Sequence, residues 1–228
     1  MSSNIHVLRI ALERAKPPIW RKVAVPGDTT LGELHVIIQI AMGWEDDHLH
    51  QFELHDPSLK VSRDEIMRML RQGIGMDYNA ATRGIQYFAS SYDPMGGPIE
   101  MEGDDEDAHT IAQVCAKPKT KLIYEYDFGD GWRHKITVQK VHPPEPDVTY
   151  PLCLTGKGAC PPEDCGGIPG YQRMLDILTR PDSGEREEIL EWLGGDFDPE
   201  HFDIETVNRN LQSAWNAMRK PSKKRKEK

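Results

Sequence analysis

The stretch YEYDFGDGWRHKI, residues 124–136, decides the fold of this chain. On each side of its centre, apolar and polar residues alternate with period two, as in strands that are covered on one face. The triplet Gly129-Asp130-Gly131 separates the two runs, and glycine admits the positive φ that tight hairpin turns need. The pattern therefore predicts a β-hairpin with one apolar face. The residues of that face are Leu122, Tyr124, Tyr126 and Phe128 before the turn and Trp132, His134, Ile136 and Val138 after it.

Another hairpin and a helix are predicted near the N-terminus. Residues 5–12 and 19–25 carry aliphatic side chains at period two and flank a proline-rich break. Thr30 and Glu33 form a capping box in front of an apolar helical pattern that ends at Gly43. The order strand, strand, helix is that of a β-grasp start. We therefore expect an α+β fold in which two hairpins form a mixed or antiparallel sheet packed on this helix, followed by a C-terminal helical cluster.

The chain length predicts a single α+β domain over residues 1–218. Within it we distinguish a flexible acidic loop, a Pro/Gly/Cys loop without elements of its own and a helical part. These segments cover residues 93–109, 143–170 and 170–218, and a disordered basic tail follows at 219–228.

Charge is distributed unevenly along the sequence. The whole chain has a net charge of −9, yet residues 219–228 contribute about +6, so the other residues are strongly acidic. An acidic body repels phosphate backbones, which leaves the tail as the candidate nucleic-acid contact. Its candidate residues are Lys223, Lys224, Arg225 and Lys226. The competing interpretation is a solvated tail with no partner.

Several classes of protein are excluded by the sequence. No apolar run approaches the roughly 20 residues of a membrane helix, so no membrane partner is expected. The first residues lack the basic and apolar regions of a signal peptide, and four cysteines are ordinary for a cytoplasmic protein. The sequence also lacks the phosphate-binding glycine motifs, the H-E-x-x-H motif and the G-x-S-x-G motif.

Three stretches together resemble the plasmid pRiA4b ORF-3-like family, also known as a passenger protein family of insertion elements. They are PPIWRKVAVPGDTTLGELHVIIQIAMGWEDDHLHQFEL (17–54), YEYDFGDGWRHKI (124–136) and LCLTGKGACPPEDCGGIPGYQRML (152–175). The resemblance implies an α+β domain associated with plasmids and mobile elements, with no established activity. The acidic loop and the basic tail depart from the family pattern, so the resemblance implies nothing about them.

One candidate metal site combines His48, His50, Cys160 and Cys165. We expect His48 and His50 to project from one face of a strand, and the cysteines are four residues apart in a Pro/Gly loop. Zinc takes such imidazole and thiolate ligands in tetrahedral sites, so zinc is the candidate cofactor. The competing interpretation is that the thiols are simply buried.

An alternative polar site lies at the tip of the second hairpin, at Asp127, Asp130 and His134, with His48 or His50 nearby. Oxygen and imidazole ligands suit Mg, Mn or Fe and hydrolytic chemistry. The competing interpretation gives each residue a structural role: Asp130 forms the turn, Asp127 makes an ion pair and His134 packs in the core.

The segment that runs through Cys165 and leads into the C-terminal helices is a candidate recognition loop. Its residues are Pro162, Glu163, Asp164, Gly166 and Gly167. Prolines stiffen the entry, and two glycines let the backbone approach a partner closely. The structural alternative is a staple that joins the sheet to the helices.

Two functions follow from these patterns. The first is a non-enzymatic interaction module, linked to plasmid or mobile-element biology, that binds a protein or nucleic-acid partner. The second is a metal-dependent hydrolase or nuclease that uses His with Cys or Asp ligands. The sequence leans toward the non-enzymatic function. A hydrolase would require a convergent pocket of titratable side chains, which an interaction module does not need.

Overall fold

A computed structural model of the chain describes residues 3–75, 81, 83–180 and 184–220. Within that part of the chain, eight strands form one mixed sheet. They are β1 (Ile5–Leu12), β2 (Trp20–Pro26), β3 (His50–His55), β4 (Ile85–Ala89), β5 (Asp104–Asp105), β6 (Lys121–Tyr126), β7 (Trp132–His142) and β8 (Leu152–Lys157). Their order across the sheet is β5-β4-β3-β6-β7-β1-β2-β8, and only the β4–β5 pair is parallel.

Six helices accompany the sheet in the described residues. They are α1 (Leu31–Met42), α2 (Arg63–Arg71), α3 (Ile111–Val114), α4 (Gly167–Leu178), α5 (Gly184–Leu193) and α6 (Ile204–Met218). Short 3-10 turns occur at Pro57–Leu59 and Glu106–Ala108. The predicted α+β class is confirmed, with a larger sheet than the two hairpins alone would form.

The N-terminal hairpin and helix form as the sequence predicts. β1 pairs with β2 in antiparallel register from Ile5 opposite Pro26. The capping box is complete, because the Thr30 hydroxyl accepts from the Glu33 amide and the Glu33 carboxylate accepts from the Thr30 amide, each at 3.0 Å. Gly43 ends α1 in the left-handed region at φ 111°, a conformation that costs glycine little.

The second hairpin lies at the centre of the sheet. β6 and β7 pair with Tyr124 opposite His134 and Tyr126 opposite Trp132. β7 also pairs with β1, and β6 also pairs with β3, so this hairpin connects the two halves of the sheet. Its inward side chains are fully buried, whereas Phe128 at the turn is 47% exposed and does not belong to the apolar face.

The prediction that the Pro/Gly/Cys loop at 143–170 has no elements of its own is wrong, because the segment contains β8 and the start of α4. β8 adds to the edge of β2, and α6 covers its other edge. Asn208 on α6 donates to the Cys153 carbonyl at 3.0 Å and accepts from the Cys153 amide at 2.7 Å. These two bonds satisfy backbone groups that an edge strand leaves unpaired, so the edge is protected from pairing with another chain.

The acidic loop at 93–109 is also more ordered than predicted. β5 and the 3-10 turn lie within it, and Glu106 is 4% exposed. The loop therefore contributes a buried carboxylate to the interior, which its composition alone did not indicate.

The core lies between one face of the sheet and helices α1, α4 and α6. At its edge, Arg21 is 2% exposed, and its guanidinium has no carboxylate partner in the part of the chain that the structure describes. It donates instead to carbonyl oxygens at the end of α1, at β2 and after β8, including Ala41 at 2.6 Å and Gly158 at 2.9 Å. Arg21 thus connects the last turn of α1, where carbonyls lack intrahelical partners, to the sheet edge.

Candidate functional site

Three side chains from distant parts of the sequence converge near the tip of the second hairpin. His48, Asp127 and Asp164 each offer a ligand atom, and these atoms all lie within 4.8 Å of one another. The His48 Nε2 atom is 3.4 Å from Asp164 Oδ1 and 3.9 Å from Asp127 Oδ2. In the part of the chain that the structure describes, no other group of three His, Cys, Asp or Glu residues meets that distance. We call these three residues the metal-type cluster.

The hairpin turn fixes the position of Asp127. Asp127 directly follows β6 at φ 54°, a left-handed conformation that aspartate tolerates better than most residues. Its amide donates to the Leu49 carbonyl at 2.9 Å, and its Oδ1 atom accepts from the Gly129 amide at 2.8 Å. The other oxygen, Oδ2, is the one that faces His48.

Glu163 adds a second carboxylate from the candidate recognition loop. Its Oε1 atom accepts from the Tyr126 hydroxyl at 3.0 Å and from the Glu45 amide at 3.1 Å. Its Oε2 atom is buried, has no hydrogen-bond partner among the described residues, and lies 3.9 Å from His48 Nε2. Burial raises the pKa of Glu163. A buried carboxylate oxygen without a donor is costly, and a cation beside it would remove that cost.

The geometry of the metal-type cluster suits a divalent cation. Two ligands bound at about 2.1 Å to one ion lie about 3.0 Å apart at right angles and farther apart at wider angles. The spacings from His48 to the carboxylates need to shrink by less than an ångström to reach such values. One imidazole and two or three carboxylate oxygens form a ligand set for Mg, Mn, Fe or Zn.

The structure does not gather the predicted zinc ligands His48, His50, Cys160 and Cys165. β3 begins at His50, so His48 lies in the preceding loop and the two rings serve different clusters. The His50 Nε2 atom is 2.9 Å from Glu106 Oε2. Burial raises the pKa of Cys160 well above its usual value and that of Cys165 to about 12.

The alternative polar site is divided by the structure. Asp127 belongs to the metal-type cluster, whereas the Asp130 Oδ2 atom accepts from the Gly166 amide at 3.1 Å. His134 is fully buried on the inner face of the hairpin, where its ring meets Trp44 edge-on. Asp127 does not form the expected ion pair with Arg133, because Arg133 pairs instead with Glu53 on β3 and Glu125 on β6.

The candidate recognition loop is held against the hairpin tip. Gly166 and Gly167 both have positive φ, and a Cβ atom on Gly167 would lie 2.3 Å from the Asp130 carbonyl oxygen. Close backbone approach therefore requires glycine at 167. Pro162 is half-buried, while Glu163 and Asp164 turn toward His48. The loop thus acts as a staple between sheet and helices, and it also supplies carboxylates to the cluster.

A cavity of about 640 Å³ opens beside the metal-type cluster, and His48 lines both. We call it the acidic cavity. Its acidic lining residues are Glu33, Asp46, Asp93, Glu106 and Asp107, and its histidines are His35, His48 and His50. The rings of His35 and His50 stack at 3.5 Å, and His35 bonds Asp46 at 2.7 Å and the Tyr124 hydroxyl at 2.8 Å.

Sequence reasoning singled out only His48 and His50 among these cavity residues as site residues and missed the other six, of which three make the hydrogen bonds described above. His35, Asp46 and Glu106 come from a helix, a loop and the acidic loop, with no motif that joins them. Leu34 and Ile38 predict that one face of α1 packs in the core, and His35 lies next to that face. This histidine was the signal in the sequence that could have pointed to the cavity.

The predicted nucleic-acid contacts Lys223, Lys224, Arg225 and Lys226 lie outside the described residues. Among the helices that are described, none is both long and apolar enough to cross a membrane.

Comparison with known proteins gives relatives over nearly the full length. The chain is 30% identical over 223 residues to the uncharacterized protein y4hQ of Sinorhizobium fredii, covering 94% of this chain and 96% of that protein. It is similar to the crystal structure of MM3350, a protein of unknown function from Methanosarcina mazei Go1, with a TM-score of 0.70 and 31% identity. That match covers 90% of this chain and 98% of the other. The model of the plasmid pRiA4b ORF-3-like protein family matches residues 4–206, and the chain therefore belongs to this family.

Proposed function

We propose that this chain binds one divalent metal cation at His48, Asp127 and Asp164 and acts as a metal-dependent hydrolase. The observation that carries the proposal is the convergence of these three side chains from three separate segments within 4.8 Å. A cation held there would lower the pKa of a bound water and so supply a nucleophile near neutral pH. The adjoining acidic cavity offers space for a substrate.

The unpartnered oxygen of Glu163 supports the same proposal. It lies on the side of His48 that faces the cluster, and it would accept a bond from a metal-bound water or ligate the ion directly. In the described part of the chain, the set of two histidines and two cysteines has no three ligand atoms within 4.8 Å of one another, so it does not form the proposed site. Zinc remains one of the ions to be tested.

The test begins with metal content. Untagged full-length protein, purified without chelator, is examined by elemental mass spectrometry, and Mg²⁺, Mn²⁺ and Zn²⁺ are then titrated by calorimetry. We expect about one ion per chain, with affinity reduced at least about 10-fold by Asp164→Asn. Asp147→Asn is the matched control, since Asp147 is also an aspartate with positive φ, 63°, but lies outside the cluster.

A hydrolase screen completes the test. Nitrophenyl phosphate, phosphodiester and carboxylic ester probes are offered with each metal, and we expect turnover that Asp127→Asn abolishes and chelator suppresses. Bound metal with no hydrolysis of any probe would overturn the enzymatic half of the proposal. If the wild-type chain binds no metal, and Asp164→Asn changes neither metal affinity nor turnover, both the metal-binding and the enzymatic halves of the proposal are overturned.

A non-enzymatic interaction module is the second candidate, and one surface favours it. A groove between α4 and α5 is lined by apolar side chains that include Met174, Ile177 and Ile189, and by Trp192, which is 54% exposed. Large exposed aromatics are frequent at protein interfaces. If this function is the correct one, Trp192→Ser removes partner binding, while Asp127→Asn, at a residue that does not line the groove, leaves it intact.

The cytoplasm and a link to plasmid or mobile-element biology belong to the same proposal. All four cysteines are free thiols, which is usual where the compartment is reducing. The family name supplies the association with plasmids.

A further inference from the structure

The sheet has a second face whose side chains differ from those of the core. Helices α1, α4 and α6 pack on the face that carries the core, and the residues between the core positions of each strand point the other way. We call this side of β8, β2, β1, β7 and β6 the outer face. Five of its side chains are cationic: Arg9, Lys22, Lys121, Lys135 and Lys157. The net charge of −9 for the whole chain therefore does not describe this surface.

Strand pairing brings these cations into two adjacent rows. Each row crosses four neighbouring strands through residues that lie directly opposite one another. One row runs through Lys22, Arg9, Thr137 and Lys121, and the other runs through Lys157, Trp20, Ala11 and Lys135. Neighbouring strands are about 4.8 Å apart, so each row distributes its cations over about 14 Å. The result is a broad positive surface.

The cations of the outer face are not neutralised by neighbouring carboxylates. Within the described residues, none of the ion pairs of lysine or arginine involves any of these five side chains. Glu125 is the acidic side chain that the five strands place on this face, and it is paired with Arg133. Lys121, Lys135 and Lys157 are exposed, so their charges are available to a ligand and add to one local positive potential.

An aromatic ring lies among these cations. Trp20 begins β2 on the outer face, is half-buried, and does not belong to the hydrophobic core of the described residues. The guanidinium carbon of Arg9 lies 5.0 Å from the centre of its ring. Surfaces that hold single-stranded nucleic acid combine cations with aromatic rings, because phosphates meet the cations while unpaired bases stack on the rings. A duplex or an acidic peptide would use the charges but not the ring.

We propose that the outer face binds single-stranded nucleic acid, with its five cations on the phosphates and Trp20 stacked on a base. Charge complementarity selects a polyanion, and the tryptophan among the cations selects one with unpaired bases. This inference does not rest on the metal proposal, because none of these six residues belongs to the metal-type cluster. The basic segment at 219–228 is the contact that the sequence predicts, so the test must separate the two.

The test measures the anisotropy of a fluorescent oligothymidylate of about 12 nucleotides as the full-length chain is added. We expect saturable binding that weakens as salt is raised, and weaker binding of a duplex of the same length. Lys135→Gln should lower the slope of log affinity against log salt by about 0.7, the value for one phosphate contact to a single strand. Lys60→Gln is the matched control, since it removes one exposed lysine outside the outer face.

Two tryptophan variants separate stacking from support of the fold. Trp20→Leu should weaken binding at least about 5-fold, as loss of one stacked base does, whereas Trp20→Phe should retain most of the affinity because it keeps an aromatic ring. Circular dichroism reports whether each variant is folded. Lys135 is exposed, so its variant tests the inference even if Trp20→Leu does not fold.

Four results would overturn the inference. The first is the absence of saturable binding, and the second is an equal change of slope in Lys135→Gln and Lys60→Gln, which would reduce the effect to net charge. The third is a loss of binding in a Lys223→Gln, Lys224→Gln variant with none in Lys135→Gln, which would place the contact on the basic segment. The fourth is equal affinity for the duplex or for polyglutamate. Failure of the hydrolase proposal would leave this inference unchanged.

Discussion

His134 makes the stability of this protein depend on pH. Its ring is fully buried between Trp44 and Tyr124, and burial lowers its pKa from 6.5 to about 3. As the pH falls, the unfolded chain therefore takes up a proton at His134 near pH 6.5, whereas the folded chain takes it up only near pH 3. The contribution of this neutral histidine is fully present above pH 6.5 and is lost progressively as the pH falls toward 3.

The magnitude follows from the difference between the two pKa values. Each pH unit inside the window costs about 1.4 kcal/mol, so lowering the pH from 7 to 5 should remove about 2 kcal/mol of unfolding free energy through His134 alone. Other buried histidines add to the total, since burial also lowers the pKa of His6 and His35. A variant is therefore needed to isolate one residue.

The assay is urea unfolding at pH 7, 6 and 5 for the wild-type chain and for His134→Phe. Phenylalanine keeps the aromatic packing and cannot take up a proton. The variant should lose about 2 kcal/mol less than the wild type between pH 7 and 5. His201→Gln, which removes an exposed imidazole, is the matched control. Parallel pH profiles for wild type and His134→Phe would refute the reasoning, whatever the absolute stability of the variant.

Three further changes test the architecture by chemical denaturation. Gly167→Ala should lower the free energy of unfolding by at least about 2 kcal/mol, because it combines positive φ with a clash against the Asp130 carbonyl oxygen. Gly184→Ala, with open space at its Cβ, should be neutral or stabilising. Equal effects of the two variants would contradict the close approach of Gly167 to Asp130. Arg21→Met should cost about 3–5 kcal/mol by leaving buried carbonyls without a donor; a loss below about 1 kcal/mol would mean that water replaces the guanidinium. Asn208→Leu should cost about 1–3 kcal/mol and promote aggregation by light scattering, unlike Asn210→Leu on the same helix.

Local sequence patterns predicted much of the fold. The second hairpin was predictable because strand alternation and its glycine turn both lie within 20 residues of sequence. Helix α1 was predictable for the same reason, since the capping box of Thr30 and Glu33 begins it and Gly43 ends it. Each of these signals reports an interaction between residues that are neighbours along the chain.

β8 was missed because its signal is not local. Its segment is rich in proline and glycine, and the strand exists because β2 offers it an edge and Asn208 occupies its other side. The ordering of the acidic loop has a similar cause. Glu106 is buried because His50, on β3, lies 2.9 Å away and about fifty residues earlier in the sequence.

The sequence by itself determined the α+β class, the family and the chemical types present: histidines before and in β3, aspartates at the hairpin tip and carboxylates in a glycine-flanked loop. Only the tertiary structure decided that His48 meets Asp127 and Asp164 while His50 meets Glu106, and that the cysteines stay out of both groups. The reason is physical. Hydrophobic periodicity reports which residues face the core, but metal ligation and cavity charge depend on distances of a few ångströms between segments that only sheet pairing and loop docking bring together.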